Sequence, residues 1–157
     1  MYRLILIAFC FVSFAARAQH PRVISSTTQS WSGGIAGHHG SNYTFSIEFT
    51  DCKQAPWPDT LWVGGHRFLC TVSSPGMQGN TTVVFNRKRK TATIGINVGY
   101  SADDYAERNR LPGGAETVLP KPPTYGGVAL LQYSYRGKQK AFAVPGFTRT
   151  YPAVNYP

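Results

Sequence analysis

Acidic residues are scarce in this chain. Its 157 residues hold 7 Asp and Glu against 16 Lys and Arg, a formal charge of +9. So few carboxylates leave little material for hydrolysis by paired acids. The adjacent Asp103 and Asp104 suit the first turn of a helix better than an active site. Glu48 and Asp59 have no spacing that marks them as partners. Cysteine is sparse too, three in all, and no Cys-x-x-Cys is present, which argues against thiol redox catalysis. No serine stands in a nucleophile elbow, and no cysteine has a local histidine partner. There is no cofactor-binding loop, internal repeat, low-complexity tract or charge run longer than four. These absences lead to the expectation of a non-enzymatic protein without a cofactor.

Long apolar runs are also missing, with one exception at the N-terminus. Arg3 supplies a positive start, Leu4 to Phe14 is almost wholly apolar, and Ala16-Arg17-Ala18 puts small residues where a signal peptidase reads. The run is too short for a stable membrane span. Residues 1–18 are therefore expected to be a cleaved signal peptide, and 19–157 a single domain that is periplasmic or secreted. No transmembrane segment is expected after cleavage. Cys10 lies inside the apolar run, without the small-residue surroundings of a lipoprotein site. Cleavage removes Arg3 and Arg17 but no acid, so the mature chain stays strongly basic.

What remains is rich in strand formers, turn residues and aromatics: Gly 16, Pro 11, Tyr 9 and Phe 9, with many Val, Thr and Ile. Residues 42–50 alternate cleanly. Tyr43, Phe45, Ile47 and Phe49 share one face, and Thr44, Ser46, Glu48 and Thr50 the other. Further strands are predicted over 22–31, 61–63, 66–72, 81–85, 91–100, 127–135, 139–144 and 147–155. Gly64-Gly65 and Arg136-Gly137-Lys138 are the predicted hairpin turns, because glycine accepts the positive φ that tight turns need. Asp51 to Asp59, with Pro56 and Pro58, is expected to be a turn-rich link. One short surface helix is predicted over 101–110, capped by Ser101. Seven to nine short strands without βαβ alternation predict an all-β chain, an immunoglobulin-like antiparallel β-sandwich.

Cys52 and Cys70 survive cleavage, and an oxidising compartment allows a disulfide between them. The alternative is two buried thiols. They can approach only if a turn at Gly64-Gly65 folds Cys70 back beside Asp59.

Three groups of residues are candidates for binding. His38 and His39, in a glycine-rich loop, are zinc or copper ligands if His66 joins them, and otherwise solvated loop residues. Arg87-Lys88-Arg89-Lys90 forms a basic turn which, with Arg136, Lys138 and Lys140, offers an anion-binding surface. Charged turns also keep sheet edges apart. The aromatics, among them Trp57, Trp62, Tyr133 and Tyr135, supply either core or a stacking platform for sugars. In an exported protein nucleic acid is the poorest match. The expected partners are an envelope glycan, an anionic lipid or another exported protein. The expected role is binding or accessory work at a bacterial cell envelope, with metal binding and small-substrate hydrolysis as the rival classes.

Overall fold

The computed structural model describes residues 21–33, 38–70, 79–101 and 121–157. They form nine strands: β1 (Pro21–Gly33), β2 (His39–Phe49), β3 (Trp57–Val63), β4 (His66–Leu69), β5 (Gly79–Asn86), β6 (Thr91–Ser101), β7 (Ala129–Tyr135), β8 (Lys138–Val144) and β9 (Arg149–Tyr156). Two sheets result, one ordered β5-β6-β2-β1-β9 and the other β4-β3-β7-β8. Every pairing is antiparallel except β1 with β9, which is parallel.

The alternation read in β2 sets the core. Tyr43, Phe45, Ile47 and Phe49 are buried, and Ile94, Ile96 and Val98 of the neighbouring β6 lie beside them. From the other sheet, Leu61, Val63, Leu131, Tyr133 and Tyr135 complete the same cluster. Phe49 meets Tyr133 edge-on across the two sheets, with ring centroids 5.0 Å apart. Such a pair adds about 0.5–1.5 kcal/mol beyond area burial. Phe147, between β8 and β9, lies against Tyr43 and Phe45 at 6.0 and 6.1 Å.

Several boundaries differ from the sequence reading, each for a physical reason. β3 begins at Trp57 and runs through Pro58, where a turn-rich link was predicted. The register shifts between Pro58 and Thr60, and such a bulge tolerates a residue with no N–H to donate. β2 begins at His39, not Asn42, because pairing with β1 continues to Ser32 opposite His39. Gly40 allows this extension: a Cβ there would collide with the Tyr100 carbonyl and the Trp31 ring. Ser101, predicted to cap a helix, is the buried last residue of β6, opposite Gly40. The rest of the predicted helix, 102–110, lies outside the described residues, as do the predicted signal peptide and residues 71–72.

The glycine turn at Gly64-Gly65 matches its prediction, and the Arg136-Gly137 turn does so except that Lys138 already begins β8. Gly64 and Gly65 have φ of 59° and 80° and return the chain from β3 to β4. Cys70 thereby lies alongside β3, its N–H donating to the Asp59 carbonyl at 2.9 Å.

Candidate functional site

The β5–β6 and β7–β8 connections lie at the same end of the molecule. β2 finishes at that end, and the link from β2 to β3 runs between the two turns. The Cys52 N–H donates to the Lys90 carbonyl at 2.7 Å. One residue later, the Lys53 N–H donates to the Tyr135 hydroxyl at 3.0 Å. Lys90 closes the first turn, and Tyr135 immediately precedes Arg136 in the second. The β2–β3 link is thus bonded to the first turn through Cys52 and, through Lys53, to the side chain of the residue that leads into the second.

The first turn is held in a defined shape. Asn86 pairs with Thr91, and the Asn86 side-chain oxygen accepts from the Arg89 N–H at 3.0 Å. Lys90 closes the loop with a φ of 53°. Arg87, Lys88, Arg89 and Lys90 are all exposed. In the second turn Arg136 and Gly137 take φ of 52° and 72°, and Arg136 and Lys138 are exposed. Lys140 is half-buried, with its ammonium 5.5 Å from the Tyr135 ring centroid. Lys53 is exposed between the two turns. Arg22 lies at this end too, bonded to Glu48 at 2.8 Å. Asp51 and Asp59 are the other described acids here. Eight cations besides Arg22 therefore share this end with two acids besides Glu48, an excess of one sign that attracts anions.

The histidines lie at the opposite end. His39 begins β2, with His38 just before it, and His66 begins β4. His66 stacks on Tyr100 of β6, with centroids 3.8 Å apart and planes 23° from parallel, so this contact bridges the two sheets. Burial lowers the His66 pKa below its ordinary value. Among the described residues, no three His, Cys, Asp or Glu side chains are grouped to hold a metal ion.

Cys52 and Cys70 are both buried as thiols. The Cys52 Sγ lies 3.6 Å from the Phe49 carbonyl oxygen. The Cys70 thiol is pushed up to about 12, chiefly by burial and further by the Asp59 charge, against a hydrogen bond with Thr81 that acts the other way. Such a thiol is a poor nucleophile. The two carboxylates without marked spacing stay apart in role: Glu48 belongs to β2 and pairs with Arg22, while Asp59 belongs to β3 and accepts from the Ser134 hydroxyl at 2.8 Å.

Of the aromatics, Tyr133 and Tyr135 are core and Trp62 is buried, whereas Trp57, Tyr151 and Tyr156 are exposed. The sequence paired the two basic segments by charge alone. The bonds of Cys52 to Lys90 and of Lys53 to Tyr135 had no local signature, because they depend on which groups meet after folding. No helix among the described residues is long and apolar enough to cross a membrane. Comparison with protein-family models, with curated proteins and with solved structures finds no match.

Proposed function

We propose that this chain is an exported, non-enzymatic β-sandwich of immunoglobulin-like topology, a binding or accessory module that engages anionic glycan or lipid at a bacterial cell envelope. The observation that carries the reading is that Arg87–Lys90 and Arg136, Lys138 and Lys140 lie at one end of the strands, where the Cys52–Lys53 segment bonds to Lys90 and to Tyr135. Both turns have a fixed backbone, the first held by the Asn86–Arg89 and Cys52–Lys90 bonds and the second by the Tyr135–Lys138 pairing, so little backbone ordering is left to binding.

The strand order supports the topology. Taking β1, β2, β3, β5, β6, β7 and β8 as strands A to G of an immunoglobulin-like domain gives A-B-E-D in one sheet and C-F-G in the other, with β4 beside C. β9 is then an added edge strand on A. On this assignment the basic end holds the B–C and F–G connections, which in variable domains belong to the binding end.

The apolar run and Ala16-Arg17-Ala18 support export. The exported form then begins at Gln19, which N-terminal sequencing reads directly; a mature protein that starts at Met1 would refute the leader. Binding is tested at low ionic strength with heparin, a polyanionic glycan, and with phosphatidylglycerol vesicles. Retention on either supports the reading and identifies its class of target. Retention on neither counts against it.

A further inference from the structure

The outward face of the β4-β3-β7-β8 sheet carries an open pocket of about 430 Å³, lined by Asp59, Thr60, Gln132, Gln139, Lys140 and Ala141. That volume falls in the small-ligand range of about 300–1,000 Å³. Strand alternation builds it. Leu131, Tyr133 and Tyr135 turn into the core, so Gln132 and Ser134 between them turn outward. On β3 the bulge after Pro58 leaves Trp57 opposite Ser134 and Thr60 opposite Gln132, both on this outward face. Trp57 is 54% exposed, unusual for so large an apolar side chain.

The polar groups of the pocket are already oriented. The Ser134 hydroxyl donates to Asp59 Oδ2 at 2.8 Å, and Gln139 Nε2 donates to Ser134 Oγ at 3.0 Å. The Trp62 indole N–H donates to Gln132 Oε1 at 3.1 Å, which turns the Gln132 amide N–H groups away from Trp62. Asp59 contributes a carboxylate, whereas Lys140, opposite the inward Tyr133, carries its ammonium over the Tyr135 ring and away from this face. Carboxylate and amide acceptors, amide donors and the exposed Trp57 indole therefore share one sheet face, and its one charged group, a carboxylate, repels anions. The complementary ligand is neutral, rich in hydroxyls that both donate and accept, and flat and apolar on one side.

We infer that this pocket binds a neutral pyranose sugar. The C–H face of the ring stacks on Trp57, and its hydroxyls bond to Asp59, Gln132 and Gln139. The site is separate in chemistry from the basic turns, since its ligand carries no charge and its binding does not depend on salt.

Saturation-transfer NMR on the mature protein, with methyl β-D-glucopyranoside and methyl β-D-galactopyranoside as probes, tests the inference. Transfer to the protons of one ring face of at least one probe is expected, unchanged by added salt and unchanged when Arg87 to Lys90 are neutralised. Trp57→Ala is expected to weaken binding about tenfold, the loss of one aromatic contact, while Trp57→Tyr retains most of it. Gln132→Leu, which leaves Trp57 in place, is expected to weaken binding as well, so the inference stays testable if Trp57→Ala folds poorly. No transfer to either probe, or equal binding by Trp57→Ala and Gln132→Leu, overturns it. Loss of heparin and vesicle retention with pyranoside binding intact would count against the basic turns alone.

Discussion

Phe45 is 1% exposed, flanked on β2 by Tyr43 and Ile47 and met from the C-terminal side by Phe147. Truncation to Ala is expected to cost about 3–5 kcal/mol of unfolding free energy, from lost burial and the cavity left behind. Urea titration reads this directly, and a loss below about 1 kcal/mol would mean that the site collapses freely. His66 was legible only as a turn-flanking histidine, because nothing local announces its stack on Tyr100 from the other sheet. Its pKa is lowered by burial, so folding favours the neutral ring. The stability it contributes is complete above the unfolded-state value of about 6.5 and is lost as pH falls from there toward the lower folded value. His66→Phe is therefore expected to flatten the fall in stability between about pH 7.5 and 5.5 relative to wild type. Identical slopes would assign that pH dependence to other groups.

Among the elements, β2 and β7 were legible because one face is core and the other is not, and their alternation follows from that difference. β3 was half legible: Pro56 and Pro58 signal a turn, yet a bulge lets Pro58 lie inside a strand. β9 was legible as extended chain, but its parallel pairing with β1 was not. That pairing begins at a cluster of hydrogen bonds distant in sequence. The Thr148 N–H donates to the Ser26 carbonyl at 2.7 Å, the Ser26 N–H to Thr148 Oγ1 at 2.9 Å, and the Ser26 hydroxyl to the Gly146 carbonyl at 2.8 Å. Ser26 is fully buried. Ser26→Ala leaves the Gly146 carbonyl without this donor and is expected to cost about 1–3 kcal/mol. It should also speed amide hydrogen exchange across β9 more than across β2, because among the described residues β9 pairs with β1 alone. Uniform acceleration through both strands would show that the cluster does not hold β9 specifically.

For the whole molecule, the all-β character and the single core were legible from composition and periodicity. The placement of the sites was not. Two basic turns 46 residues or more apart in sequence come to one end because β6 and β7 belong to facing sheets and the β2–β3 link bonds to Lys90 of the first turn and to Tyr135, which leads into the second. The histidines, read in sequence as loop residues or as ligands if His66 joined them, lie at the opposite end, where His66 stacks on Tyr100. The two basic turns and the histidines thus lie at opposite ends of the strands, with Arg67 beside His66, and the anion-binding reading rests on the turns alone.

The most direct test of that reading is the salt dependence of heparin affinity, measured for the mature protein and two variants. One neutralises the first turn as Arg87→Ser, Lys88→Ser, Arg89→Ser and Lys90→Asn, since Asn accepts the positive φ at that position. The other neutralises the second as Arg136→Asn, Lys138→Ser and Lys140→Gln. Wild-type affinity is expected to fall steeply with salt, and each variant to bind more weakly and with a shallower salt dependence, because both turns contribute to one surface. Melting temperatures are expected to stay close to wild type for the first variant, whose charges are exposed and contribute little to stability. Wild-type affinity that ignores salt, or variants that retain its full affinity and slope, would contradict a role for the basic end in binding.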